Sequence, residues 1–234
     1  MDYIHARRLY GTMLAVQREL KDAVLYAAPF VTWIALQMLL PATAPSYAVR
    51  AGATAAVGLA CLLALKAPCG FPWRGVLIGL IGGLAVCALW IAPEYSTWYR
   101  TWLELPLGEP PPAPGPSPYE PSVCGWPLTL AKLVGSAFVI APVEEVFFRS
   151  FLYRRLQARD FRTVPLSRFD LSSFLWMVFL FTLEHDRPVV AAIAGAAYGL
   201  LTIRFGLGSA IVAHVVTNLA LGLHVIYWGE WWFW

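Results

Sequence analysis

The chain has 234 residues, of which 59% are hydrophobic and only 13% charged, and its formal net charge is +3. A soluble domain carries roughly a quarter charged residues, so a water-soluble enzyme is excluded and a bilayer is the expected main solvent; the modest charge is unevenly spread and reports orientation, not nucleic-acid binding. Cysteines at 61, 69, 87 and 124 offer neither a disulfide framework nor zinc-ligand spacing.

The opening segment, 1–21, sets Arg7, Arg8, Arg18 and Lys21 against Ile4, Leu9, Met13, Val16 and Leu20 at helical spacing. It reads as a short amphipathic helix on the membrane surface. A short apolar region with a small-residue cleavage site is missing near the start, so the first span is expected to be retained. Seven apolar stretches then approach the roughly 20 residues that a helix needs to cross the hydrocarbon core: 22–40, 48–66, 74–92, 127–153, 170–187, 188–204 and 207–228. Pro41, Pro68, Pro93, Pro127, Pro188 and Arg204 punctuate the junctions. The expected fold is an all-α, polytopic transmembrane bundle of about seven spans, or eight, around a polar intramembrane cavity. It forms one membrane domain, 1–234, with a Pro-rich outer loop at 93–125 and motif-bearing helices at 126–222. Within that loop, Glu109 to Pro118 favours extended polyproline structure.

An odd number of spans must leave alternate loops basic. Arg7, Arg8, Arg18 and Lys21 fall on one side with Lys66, Arg74, the cluster Arg154 to Arg168, and Arg204; the other side receives Arg50, Arg100 and Arg187 among Glu94, Glu104, Glu109 and Glu120. The N-terminus is therefore expected to be cytoplasmic and the C-terminus outside. Trp90, Trp98, Trp102, Trp126, Trp228, Trp231, Trp232 and Trp234 gather near the outer interface, where amphipathic rings collect. Gly75, Gly79 and Gly83, and likewise Gly195 and Gly199, recur every four residues, a stripe that lets helix backbones approach in lipid. Lys132 and Arg50 are expected to snorkel.

Ionisable groups inside spans are costly and mark function by default. The first concentration is Pro142-Val143-Glu144-Glu145-Val146-Phe147-Phe148-Arg149. Glu145 and Arg149, four apart with the acid first, form a favourable helical pair. Glu144, rotated about 100° from Glu145, is left without that counter-ion and suits a general base. Pro142 removes a backbone bond to Phe138 and is expected to kink the helix. The second is Phe181-Thr182-Leu183-Glu184-His185, with Phe181 and His185 on one face; the third is His214-Val215-Val216-Thr217-Asn218, with His214 and Asn218 on one face. No Gly-x-Ser-x-Gly elbow and no cysteine near a histidine motif supports a protein nucleophile. An activated water is the expected attacker, with Glu144 and His185 taking its proton and His214 and Asn218 donating to the oxyanion.

Glu-Glu-x-x-x-Arg, Phe-x-x-x-His and His-x-x-x-Asn, in this order on separate spans, resemble the CAAX prenyl protease and bacteriocin-processing family over residues 126–222. The first three spans carry no matching motif. The resemblance implies a helical membrane fold with a water-filled cavity and an intramembrane endopeptidase cutting near the C-terminus of a membrane-anchored protein or peptide that is prenylated or carries a sorting signal. It implies Glu144 and His185 as water activators, His214 and Asn218 as oxyanion donors, and Glu145, Arg149 and Phe181 as support. The stretch from His185 to Asn218 also looks like the bacterial subgroup associated with exosortase sorting systems, which implies the bacterial plasma membrane. A catalytically silent scaffold or immunity-type factor is the alternative, and a transporter would need an internal repeat that is not seen.

A metal-free glutamate mechanism, with no cofactor, is the favoured reading. A zinc ion, if used, would take Glu144, His185 and His214 and leave a position for water, although the His-Glu-x-x-His signature is missing. On ideal helices Glu144 sits near mid-membrane, His185 nearer the outer face and His214 in the inner half, so tilted, broken or re-entrant helices must bring them together around a protein-lined cavity. The basic loops flanking the fourth span make cytoplasmic access to that cavity the simpler expectation.

Overall fold

A computed structural model describes residues 3–65, 72–104 and 115–234. Among the described residues the regular structure is helical, with no strand. The extended conformation expected for Glu109 to Pro118 falls mainly on residues 105–114, outside the described ones. The main helices are α1 (Tyr3–Leu39), α2 (Ala44–Leu65), α3 (Trp73–Ile91), α4 (Trp126–Arg155), α5 (Leu171–Thr182), α6 (Pro188–Phe205) and α7 (Leu207–Trp228).

Among the described residues, six helices are long and apolar enough to cross a membrane. The expected surface helix at 1–21 and first span form one helix, which runs through Pro29; its apolar window is Val16–Leu39. The expected amphipathic face of 1–21 rests largely on side chains outside the described ones. The other departure is the stretch 170–187. Its helix α5 begins at an Asp170 cap that accepts from the Ser173 N–H at 2.8 Å and stops at Thr182. At about 1.5 Å per residue it is about 18 Å long, well short of the roughly 30 Å core. The stop is local chemistry, because Glu184, Asp186 and Arg187 are charged and Pro188 disfavours helical backbone at the residue before it. Large apolar side chains such as Met38, Leu63, Ile81, Leu84 and Leu175 point outward, as a lipid-facing surface requires.

In α4 the helix type changes around Pro142. The proline lacks an N–H, and just before it the ladder widens into a π-helical stretch, Ser136–Ile140, in which the N–H of Ala141 bonds the Ser136 carbonyl. After a short α-helical segment, Ala141–Glu145, a second π-helical stretch covers Val146–Leu152. Such insertions frequently accompany functional sites; here they flank Glu144 and Glu145.

The glycine stripe of α3 lies along α7. A Cβ at Gly79 would stand 2.7 Å from the Ser209 carbonyl oxygen and 2.9 Å from Val212 Cβ, so only hydrogen fits. Gly195 and Gly199 of α6 similarly admit Phe181, Phe174 and Met177 of α5. Gly79→Val is expected to separate α3 from α7 at a cost of about 1–3 kcal/mol, read as a lower melting temperature in detergent. Melting at the wild-type temperature would contradict the close crossing.

Candidate active site

Neighbouring positions on α4 point about 100° apart, and this alone gives its two glutamates different surroundings. Glu145 is fully buried. It faces Arg149 Nη1, one turn on, at 3.1 Å and His214 Nδ1 of α7 at 2.9 Å. The aligned hydrogen bond of the guanidinium runs from Nη2 to the Gly195 carbonyl of α6 at 3.0 Å, and its carbon lies 4.4 Å from the Phe181 ring centroid. One arginine thereby ties α4 to α5 and α6. Glu144, 7% exposed, faces His214 Nε2 at 3.7 Å, too far for a direct hydrogen bond.

The hydrogen-bond network assigns both imidazole tautomers. An ionised carboxylate only accepts, so His214 Nδ1 donates to Glu145. A backbone carbonyl also only accepts, and His185 Nδ1 lies 2.9 Å from the Phe181 oxygen. In its neutral form either ring would therefore keep its lone pair on Nε2, and in the imidazolium form Nε2 would become a second donor. His185 is further held by the Phe181 ring, centroid to centroid 4.5 Å, and by Trp90 at 5.7 Å. Asn218 donates through Nδ2 to the Ser136 carbonyl at 3.0 Å, the same oxygen that opens the first π-helical stretch; the second N–H of that amide is free of this bond.

Glu144, His185, His214 and Asn218 line one cavity of about 190 Å³, room for several waters. The depth mismatch that ideal spans impose is resolved by the short α5, whose end carries His185 only partway along the bundle, and by the widened α4. The cavity lies toward the end of the bundle that holds Trp90, Phe233 and Trp234, away from the basic loops.

Sequence reasoning missed the support around His214. Tyr198 stacks on its ring at 4.6 Å and 19° and donates to Thr217 at 2.8 Å, while the Thr217 hydroxyl lies 2.9 Å from both the Gly83 and Ala213 carbonyls. A phenol in the middle of a span needs a polar partner as much as an imidazole does, and that signal was available. Lys132 and Arg50, expected to snorkel, are turned inward: Lys132 lines the cavity and Arg50 is 5% exposed. Lys132 sits about two turns inside the start of α4, where the Tyr47 and Tyr119 rings hold its ammonium at 4.3 and 4.8 Å from their centroids.

Among the described residues no group of three or more His, Cys, Asp or Glu side chains converges as a metal site. A lone pair on Nε2 with Nδ1 bonded elsewhere is nevertheless the tautomer that a base and a metal ligand both use, so the zinc alternative through Glu144, His185 and His214 is a question for chelation. No curated protein and no solved structure matches the chain. Residues 126–220, the stretch that carries all of the expected site residues, match the model of the family described as type II CAAX prenyl endopeptidase Rce1-like, and over that stretch the chain is similar to that family.

Proposed function

We propose that this integral membrane protein is an intramembrane endopeptidase that hydrolyses a peptide bond near the C-terminus of a membrane-associated protein. The family that matches is one of CAAX proteases. The observation that carries the reading is a cavity in a helical bundle onto which Glu144, two imidazoles with Nδ1 bonded elsewhere, and the Asn218 amide all converge.

In the proposed reaction a water in the cavity gives its proton to Glu144, aided by the lone pair of His185 Nε2, and its oxygen attacks the scissile carbonyl. The developing oxyanion accepts hydrogen bonds from the second N–H of Asn218 and from an Nε2–H of His214, both of which keep their protons, and the carbonyl re-forms as the C–N bond breaks. Because Nδ1 of His214 already donates to Glu145, that second donation requires the imidazolium, which the Glu145 carboxylate supports at 2.9 Å. Glu144 then returns its proton to the leaving amine. Among the described residues the free cysteines are Cys61, Cys87 and Cys124, and none lines the cavity, which supports water as the nucleophile.

With the N-terminus cytoplasmic in a bacterial plasma membrane, as the charge distribution and the exosortase-associated resemblance suggest, the cavity opens toward the outer half of the bilayer. Substrates would be prenylated or sorting-signal-bearing proteins presented there, which reverses the simpler expectation of cytoplasmic access. The test is cleavage of a library of fluorogenic lipidated and unlipidated peptides by purified protein in nanodiscs, with and without a strong chelator. Cleavage that survives chelation is expected. Loss on chelation with rescue by zinc would move Glu144, His185 and His214 to the role of metal ligands, and peptide binding without any cleavage would favour the silent scaffold.

A further inference from the structure

The cavity is too small for a chain segment as it stands. Its volume of about 190 Å³ holds several waters, whereas sites that enclose even a small ligand run to about 300–1,000 Å³. Glu144 and His214 are almost fully buried, so a wall must move before anything larger than water reaches them. Most of that wall belongs to the main helices, held by their own backbone ladders and by close crossings such as that of α3 with α7. Phe233 and Trp234 do not. They stand on the segment 229–234, beyond the end of α7. Gly229, at a φ of +69°, takes the left-handed conformation that glycine adopts readily, and a single 3₁₀ turn, Trp231–Phe233, follows. The segment folds back on its own helix: a Cβ at Gly222 would stand 2.9 Å from Trp234 Cζ2. The Trp234 ring also meets the Tyr119 ring at 6.4 Å, across the cavity mouth from α7.

We propose that 229–234 is a strap that closes the mouth of the cavity, hinged at Gly229 and latched through Glu230 onto His224 and Tyr95. The Glu230 carboxylate accepts from His224 Nε2 of α7 at 2.6 Å and from the Tyr95 hydroxyl, just beyond α3, at 2.7 Å. A second fastening lies at the start of α6, where Arg187 donates to the Trp232 carbonyl at 3.2 Å and holds its guanidinium carbon 5.0 Å from the Phe233 ring centroid. Tyr95 is 59% exposed and Glu230 only partly buried, so water can take over the latch contacts on opening, as it could not for the buried Glu145–Arg149 pair. The rings released from the mouth also have a place to go. Trp98, Trp102 and Trp228 already stand exposed, and indole rings are at home at a membrane interface. As a gate on the cavity the strap stands on this geometry alone; as the entry for a peptide it rests on the endopeptidase reading above.

The test reads access to the cavity without any cleavage. In the full chain, with Cys61, Cys69, Cys87 and Cys124 replaced by alanine, Ser136→Cys places one thiol on the cavity wall. Its alkylation by iodoacetamide, an uncharged reagent that changes of surface charge do not steer, is timed in nanodiscs beside a thermal melt of each protein. Glu230→Ala leaves Phe233 and Trp234 in place and removes the latch; it is expected to speed labelling about tenfold, the equivalent of one charge-assisted hydrogen bond. Tyr95→Phe, which touches nothing on the strap itself, should speed it at least about threefold. The two changes act on one contact, so together they should do no more than Glu230→Ala alone. Phe233→Ala with Trp234→Ala removes the cover and sets the upper limit. Labelling of folded Glu230→Ala within about twofold of its parent makes the segment a fixed wall and overturns the proposal. Should Glu230→Ala not fold, Tyr95→Phe at the parent rate does the same. No acceleration when both rings are removed places the entrance elsewhere and also overturns it. No peptide is present, so failure of the wild-type protein to cleave strikes the endopeptidase reading and leaves the strap separately measurable.

Discussion

Glu144→Gln is expected to remove hydrolysis, by about 10²–10⁴-fold for loss of a general base, while melting temperature and yield stay at wild-type values. The amide keeps the volume and most of the hydrogen bonding of the carboxylate but cannot take a proton from water. The separation of roles along α4 makes the experiment clean. Glu144 touches the cavity and His214 Nε2 at 3.7 Å, whereas Arg149 and His214 Nδ1 are engaged by Glu145, so the substitution leaves the buried ion network whole. The measurement is initial rate per mole of folded protein beside a thermal melt. A wild-type rate would sink the proposed mechanism, and a variant that no longer folds would move Glu144 into the structural network. Glu145→Gln makes the contrast: it should lower both rate and stability, because the His214 tautomer and the Arg149 contact depend on that carboxylate.

Much of this site was legible because intramembrane charge is expensive. A bilayer removes the solvation that would let Glu144, Glu145, Arg149 and His214 stand at random positions, so their places in the sequence already restricted what they could do. The four-residue spacings survived into contacts: Glu145 meets Arg149, and the Phe181 and His185 rings lie against each other. Hydrophobic length likewise fixed most helix ends to within a few residues, as at α3, α4, α6 and α7. What stayed hidden depended on chain-to-chain geometry. The early stop of α5 follows from the charges and Pro188 just beyond it, yet a hydropathy window smooths over so short a break. The inward turn of Lys132 and Arg50 requires Tyr47 of α2 and Tyr119 just before α4 to supply the rings, a partnership between residues that no local sequence pattern links. The π-helical widening of α4 places Ser136 where Asn218 can bond its carbonyl, and Pro142 announced only that some bond would be missing. Basic loops report which end of a helix faces the cytoplasm and are silent on where along the bundle the polar walls lie, so the position of the cavity along the helices was not legible from charge.

Arg149→Leu is expected to destabilise the fold by about 3–5 kcal/mol, the usual consequence of stranding one partner of a buried pair, with loss of expression and a lower melting temperature. Arg149 is 1% exposed and Glu145 fully buried, so neither water nor lipid headgroups can take over the abandoned carboxylate. The arginine does more than balance charge: its hydrogen bond to the Gly195 carbonyl and its position over the Phe181 ring join α4 to α6 and α5, contacts that leucine cannot replace. Charge and packing are separable by a second substitution. Glu145→Gln in the Arg149→Leu background removes the stranded charge and should recover part of the stability, while the lost tie to Gly195 should keep the double variant below wild type. Thermal melts of the three proteins in one detergent check this. Recovery to the wild-type melting temperature would reduce Arg149 to a counter-ion, and no recovery would locate its contribution in the bridge between helices. In either case the His185 end of α5 depends on it, because Phe181, the ring beneath the guanidinium, also supplies the carbonyl that fixes His185 Nδ1; loss of the arginine therefore loosens the proposed proton acceptor as well as the fold.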